Sequence, residues 1–225
     1  LDPRITFTRG STATYWDGKT TAKAEENLFK YSQELDTSSY WNPVRLDITG
    51  DATTAPDGTT TATQLDQASG ETTGGRIAAI SGNNPISSGN EYTFSVYAKP
   101  NGKGFLRVNF SDDQMYYNVS SGTLGTTPSS VTASIEDAGN GWYRCIGTWT
   151  AGNSNPLYIH VADTNNQQAV TDDQQGIYIW GAQLEQRSSA TAYTPTTSSP
   201  IVKYQPVLQT AASGEARFDH DPVTG

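Results

Sequence analysis

The strongest constraint on the fold is a series of short runs of β-forming residues that begins near Glu25 and continues to Glu185. The runs have roughly four to eight residues each and alternate with turn clusters, the spacing typical of sandwiches and barrels. The clearest are EYTFSVYAKP, GFLRVNFSD, QMYYNVS, SVTASIED, GWYRCIGTWT, PLYIHVADT and GIYIWGAQLE, and weaker ones are PVRLDIT, TATQLDQ and GRIAAIS. This number of runs predicts two sheets, so the sequence indicates an all-β, two-sheet antiparallel sandwich.

Composition supports this class and narrows the partners. Thr, Ser, Gly, Asn and Asp are abundant and charged residues make up only 16% of the chain, which suits strands joined by turns better than helices. The formal net charge is −9 and Lys and Arg are not clustered in the sequence, so no nucleic-acid partner is expected. No run reaches the roughly 20 apolar residues of a membrane helix, so no membrane insertion is expected either.

The distribution of β-forming and apolar residues along the sequence predicts three segments. Residues 1–24 contain one short alternating run, Ile5 and Phe7, which is too little to bury a core and indicates an N-terminal arm or connector. Residues 25–197 form the sandwich domain. In residues 198–225, apolar and polar residues alternate again, but the apolar residues are too few to form a core. This segment indicates a C-terminal connector that continues in a longer native chain. Both arms are strand-like, and exposed strand edges are normally covered, so we expect a homo-oligomer, with a trimer as a candidate arrangement.

The residues do not favour an enzyme. The chain has no G-x-S-x-G elbow, H-E-x-x-H pair, P-loop or dinucleotide-binding glycine pattern. The single cysteine, Cys145, is expected to be a buried apolar side chain, and the two histidines are His160 and His220. Most acidic residues stand in turn clusters, where Asp stabilises its own backbone. No catalytic residue is therefore assigned, although a glycosidase needs only two carboxylates and remains an alternative.

Oxygen-rich loops raise the question of a structural metal. The stretch Asp163-x-Asn165-x-Gln167 and the pair Asp172–Asp173 offer oxygens of the kind that Ca²⁺ prefers. No twelve-residue Ca²⁺-loop pattern is present, and a structural Ca²⁺ stays an expectation without an assigned ligand set. No other cofactor is expected.

Strand alternation separates an aliphatic inner face from an aromatic and polar outer face. Leu106, Val108 and Phe110 share one face of their strand, which leaves Arg107 and Asn109 on the other. Sugars lie on flat rings with their CH faces and take hydrogen bonds from polar groups, so such a mixed outer face is typical of a glycan site. The glycan-binding candidates are Arg107, Asn109, Tyr117, Tyr158 and His160.

Five blocks carry a family resemblance. They are NLFKYSQELDTSSYW (27–41), APDGTTTATQL (55–65), YTFSVYAK (92–99), GWYR (141–144) and IYIWGAQLEQ...AYTPT (177–196). In this order they resemble the carbohydrate-binding-module-like jelly-roll domains of bacteriophage tail-fibre and other virion proteins. The flanks at 1–17 and 207–225 resemble two pieces of a connector in phage fibre and tail proteins. The resemblance implies a jelly-roll sandwich carried on a fibre in the virion.

Three functions follow from these expectations. The leading one is a non-enzymatic virion component, a jelly-roll domain on a tail or head fibre that contacts other virion proteins and binds host-surface polysaccharide. The second is a purely structural capsid-decoration or fibre-spacing domain that binds no sugar. The third is a polysaccharide-degrading enzyme or its accessory module.

Overall fold

The computed structural model describes residues 13–15, 26–37, 39–79, 84–110, 113–202 and 209–211. None of these residues is helical, so none forms a helix that could cross a membrane. The chain divides into two compact units, Glu26–Val202 on the one hand and Leu1–Glu25 with Lys203–Gly225 on the other.

The larger unit, Glu26–Val202, contains two six-stranded antiparallel sheets. In chain order, and with the two flanking strands included, the strands are β1 (Ala13–Tyr15), β2 (Trp41–Val44), β3 (Leu46–Thr53), β4 (Ala62–Gln67), β5 (Arg76–Ala79), β6 (Glu91–Asn101), β7 (Phe105–Phe110), β8 (Asp113–Asn118), β9 (Thr123–Leu124), β10 (Val131–Gly139), β11 (Trp142–Thr150), β12 (Tyr158–Ala162), β13 (Gly176–Glu185) and β14 (Gln209–Ala211). The first sheet has the order β10-β11-β6-β13-β4-β3 and the second has the order β2-β5-β12-β7-β8-β9.

This architecture confirms the predicted all-β, two-sheet antiparallel jelly-roll sandwich. The chain passes repeatedly from one sheet to the other, as in double-sheet jelly rolls, so most strands that are consecutive in the sequence lie in different sheets. One predicted run, PVRLDIT, is divided into β2 and β3. Arg45 lies between them with a φ of 58°, a left-handed conformation that ends one strand and redirects the chain into the other sheet.

The core lies between the two sheets and is apolar. Gly147 of β11 faces β7 and β8 so closely that a Cβ on it would lie 2.5 Å from Phe110 Cζ. Cys145 is fully buried, as predicted, and burial raises the pKa of its thiol. The principal inward side chains are Phe94, Val96, Trp149, Ile177 and Ile179 from the first sheet and Leu106, Val108, Phe110, Met115, Tyr117, Ile159 and Val161 from the second.

Strand β13 is central in the first sheet, between β6 and β4, and is covered on both faces. Its outward Trp180 packs against Tyr193 at a ring-centroid distance of 4.6 Å, in a small apolar cluster outside the main core. Gly181 has a φ of 66° at a register shift, and a Cβ on it would meet the Tyr97 ring at 3.1 Å. Glycine is therefore required here both by backbone conformation and by the neighbouring rings.

The sandwich begins and ends at adjacent points. Asn27 and Ile201 form an antiparallel bridge through two backbone hydrogen bonds of 2.8 and 2.9 Å. The Asn27 side chain reinforces this junction by donating to the carbonyl oxygens of Ala182 and Thr194, both at 3.0 Å. The entry and exit segments are thereby fixed to β13.

The two arms are described only in part. Strands β1 and β14 pair in antiparallel register, with Thr14 opposite Thr210. The predicted alternating run at Ile5 and Phe7 and the second histidine, His220, lie outside the described residues.

Candidate functional site

A concave groove lies on the outer face of the first sheet. It has a volume of about 280 Å³ and its floor is formed by β10 and β11. One wall comes from the segment after β13, which folds back because the buried Glu185 carboxylate accepts hydrogen bonds from the backbone and hydroxyl of Thr191. The lining residues are Thr132, Ala133, Ser134, Glu136, Arg144, Ile146, Thr148, Ser188, Ser189 and Ala190.

The groove combines hydroxyl groups with one acidic and one basic side chain. Glu136 and Arg144 are directly opposite each other on β10 and β11, yet they form no ion pair. The Arg144 guanidinium instead donates from Nη2 to Ser95 Oγ at 2.9 Å and to the Thr191 carbonyl oxygen at 2.7 Å. Arg144 is thus held in place by neutral partners, and Glu136 keeps its hydrogen-bonding capacity for a ligand.

Four of the five predicted glycan residues share the outer face of the second sheet. In the strand register, His160 of β12 lies opposite Arg107 of β7, and Tyr158 lies opposite Asn109. Tyr158 and Asn109 are half-buried, whereas Arg107 and His160 are only 2% and 3% exposed. Strand alternation predicted that these four residues share a face, but it did not predict that Arg107 and His160 are buried.

The predicted position of Tyr117 is wrong. Tyr117 lies opposite Leu106 on the inner face, is fully buried, and donates its hydroxyl to the Ile146 carbonyl oxygen of the first sheet at 2.8 Å. Its neighbour Tyr116 lies opposite Arg107 on the outer face. Tyr117 therefore belongs to the core between the sheets and is removed from the candidate site.

Arg107 and His160 form a buried pair without a negative charge. Arg107 Nη2 lies 2.5 Å from His160 Nδ1, and because a guanidinium can only donate, Nδ1 is the acceptor and the ring proton is on Nε2. Burial and, next, the charge of Arg107 lower the pKa of His160 to about 2, although the Gly74 backbone partly offsets this shift. His160 is therefore neutral at physiological pH.

Two more arginines surround this pair. Arg76 of β5 lies opposite His160, and its guanidinium lies over the Tyr158 ring at 4.7 Å. Burial and, to a smaller extent, the charges of Arg45 and Arg76 lower the pKa of Arg107. We call Arg45, Arg76 and Arg107 the arginine cluster. None of the three forms an ion pair with a carboxylate in the part of the chain that the structure describes.

Two of the carboxylates proposed for Ca²⁺, those of Asp163 and Asp173, already bind a cation, the ammonium group of Lys103. Its ammonium group donates to Asp163 at 2.5 Å, to Asp173 at 2.9 Å and to the Thr171 carbonyl oxygen at 3.2 Å. Although burial alone would raise the pKa of Asp163 and of Asp173, the hydrogen bonds from Lys103 keep both pKa values below their usual range. Within the described ranges, no three His, Cys, Asp or Glu side chains converge as a metal site requires.

Sequence reasoning missed the groove altogether. Its wall, Ser188–Ala190, has the composition of a linker, and nothing in that composition places it against β10 and β11. The available signal was the alternation of Thr132, Ser134 and Glu136, which puts polar groups on one face of β10.

No protein-family model matches this chain, and no curated protein matches it. Among solved structures, the chain is similar to the N-terminal endo-1,4-β-D-xylanase 10B of Clostridium thermocellum, a structure of its CBM22-1 and GH10 modules complexed with xylohexaose. The alignment has 13% identity and a TM-score of 0.39 and covers 77% of this chain. It spans only 30% of the length of that xylanase structure.

Proposed function

We propose that this chain is a non-enzymatic component of a bacteriophage virion, a fibre-borne sandwich domain that adsorbs to host-surface glycans. The observation that carries the glycan part is the groove on the first sheet. Thr132, Ser134, Thr148 and Ser188 contribute hydroxyl groups to its lining, and Ile146 contributes an apolar side chain. This pairing of hydrogen-bonding groups with an apolar surface suits a sugar, which presents hydroxyls and CH groups together.

The groove favours binding over hydrolysis. Glu136 is the one carboxylate among its lining residues, whereas glycoside hydrolysis generally uses a pair of carboxylates on either side of the scissile bond. None of its lining residues is aromatic, and the outward Trp142 and Trp180 of the same sheet are buried at 1% and 3% exposure. Recognition in the groove therefore depends on hydrogen bonds more than on ring stacking.

Fibre attachment is supported by the geometry of the chain ends. The bridge between Asn27 and Ile201 brings the two ends of the sandwich together, so the domain can be carried within another chain at a single point of attachment. The same observation favours the second candidate, a fibre-spacing domain without a sugar ligand.

Binding of the full chain to a glycan array and to host cells tests the proposal. The variant Ser134→Trp fills the groove from an exposed position on β10, and it should reduce glycan binding by at least about tenfold because the ring excludes the ligand. Thr49→Trp is the matched control, since Thr49 is an exposed residue of β3 at the other edge of the same sheet.

The outcomes separate the candidates. Retained binding by Thr49→Trp with loss in Ser134→Trp supports adsorption through the groove. Absence of glycan and cell binding by the native oligomer favours the fibre-spacing role. Release of sugar products from host polysaccharide contradicts the non-enzymatic assignment.

A further inference from the structure

The arginine cluster on the second sheet is a concentration of positive charge that no carboxylate neutralises by an ion pair among the residues that the structure describes. Arg107 is 2% exposed, and its two hydrogen-bond acceptors, His160 Nδ1 and Gln114 Oε1, are both neutral. Arg45 and Arg76 are half-buried beside it. Isolated buried charges are costly, and proteins normally pair them with an opposite charge.

Several buried polar atoms in this region also lack partners. Nε of Arg45, Nε of Arg107 and Oδ1 of Asn109 are buried and make no hydrogen bond within the protein. The first two are donors and the third is an acceptor. The fold therefore leaves both donors and acceptors unsatisfied around the cluster, beneath its exposed part.

The exposed part of the cluster is arranged to receive an anionic group. Arg76 is held over the face of Tyr158, which fixes the plane of its guanidinium. A fixed guanidinium pairs well with carboxylate, phosphate or sulfate because its donors match their geometry. Arg45 contributes to the cluster from its position between β2 and β3, and the buried Arg107 adds its positive charge beneath the exposed part.

We propose that the arginine cluster binds the acidic group of a charged sugar in a host-surface polysaccharide, with Arg45 and Arg76 contacting the anion. This inference rests on the proposed glycan adsorption and gives it a ligand class. It places the acidic sugar on the second sheet, away from the groove on the first sheet. The net charge of −9 makes the chain as a whole repel polyanions, so any such binding must come from a local site.

The test compares two polymers that differ in charge and little else, polygalacturonate and its methyl-esterified form. The native full chain should bind the acidic polymer at least about tenfold more tightly, because the ester removes the partner of the guanidinium groups. Arg76→Gln and Arg45→Gln should each remove most of that preference. Lys99→Gln is the control, since it deletes one positive charge from the first sheet and should leave the preference within about twofold.

Thermal unfolding of each variant shows whether it is folded, and the two arginine variants provide independent readings. Equal binding of both polymers by the native chain, or an equal loss in Lys99→Gln and Arg76→Gln, overturns the proposal. Failure to bind polygalacturonate, dextran sulfate and phosphate-bearing teichoic acid overturns it for every acidic group. If inorganic phosphate competes as effectively as monomeric galacturonate, the site takes a simple anion and the sugar assignment is wrong.

The groove variant separates this proposal from the proposed function. Ser134→Trp should leave the preference for the acidic polymer unchanged, because Ser134 lies on the other sheet. Host adsorption that depends on Ser134 without any charge preference overturns only the acidic-sugar site. A charge preference that depends on Arg76 without an effect of Ser134→Trp on host adsorption overturns only the groove.

Discussion

Lys103 and Arg107 are two buried cations near the start of β7, and the protein treats them in opposite ways. Lys103 is surrounded by two carboxylates and a carbonyl oxygen. Arg107 is surrounded by neutral acceptors and by two further arginines. The difference indicates that Lys103 is a structural cation that joins a loop to the sandwich, whereas the arginine cluster has no carboxylate partner among the described residues.

The largest expected effect is on the Lys103 side of this comparison. Lys103→Met leaves Asp163 and Asp173 together without a cation and should lower the free energy of unfolding by about 3 kcal/mol, the lower end of the range for breaking a buried pair, because both carboxylates are partly hydrated. Urea unfolding measures this loss. Lys99→Met is the control, and a loss below about 1 kcal/mol would show that water neutralises the two acids without Lys103.

A second difference is the pH range in which each region loses stability. His160 has a folded pKa of about 2, so below its unfolded pKa of about 6.5 the unfolded state binds the proton and stability falls. Between pH 7 and pH 5 this amounts to about 2 kcal/mol. The carboxylates beside Lys103 have lowered pKa values, so their contribution is present above about pH 4 and is lost below it.

Denaturant unfolding at several pH values resolves the two ranges. His160→Gln should abolish most of the loss between pH 7 and pH 5, whereas Lys103→Met should leave that loss intact and flatten the dependence below about pH 4. An unchanged slope in His160→Gln would show that the histidine is not buried in its neutral form.

The third expected effect has the opposite sign from the first. Arg107→Met keeps most of the side-chain stem but removes a buried charge that has no carboxylate partner in the described part of the chain, so stability should change by no more than about 1 kcal/mol, toward a gain. Preference for acidic polymers should fall in the same variant. A loss comparable to that of Lys103→Met would mean that Arg107 is as structural as Lys103 and would remove the contrast between them.

The smallest expected effect concerns Ca²⁺. In Lys103→Ala, the oxygens of Asp163, Asp173 and Thr171 that now converge on the ammonium group are free to bind a cation. About 5 mM Ca²⁺ should raise the stability of this variant by up to about 1 kcal/mol, as expected for a millimolar site. A Ca²⁺-dependent rise in thermal midpoint for Lys103→Ala that native protein does not show would support this, and equal rises in both would contradict it.

The sequence predicted the sheets and their faces better than it predicted depth. Alternation within β7 correctly placed Arg107 and Asn109 on the other face of the strand from Leu106 and Val108, because successive side chains of a strand must point to opposite faces. It failed at Tyr117, since β8 pairs with β7 in a register that puts the odd-numbered Tyr117 opposite the inward, even-numbered Leu106, and two adjacent tyrosines fit either assignment.

Depth and concavity could not be predicted because both depend on distant segments. Arg107 and His160 are buried by neighbours from other strands, such as Arg76 on β5. The groove exists because Glu185 fixes Thr191 and so brings Ser188 over the first sheet. Neither contact has a local sequence signal, whereas strand periodicity is local and readable.

The bridge between Asn27 and Ile201 has a mechanical consequence. When both ends of the sandwich are pulled, the force enters and leaves at neighbouring residues that are joined by two backbone hydrogen bonds. The strands of the core lie outside this line of force and carry no tension until those two bonds separate. Tension applied through the two ends therefore loads the junction while both outer faces of the sandwich keep their shape.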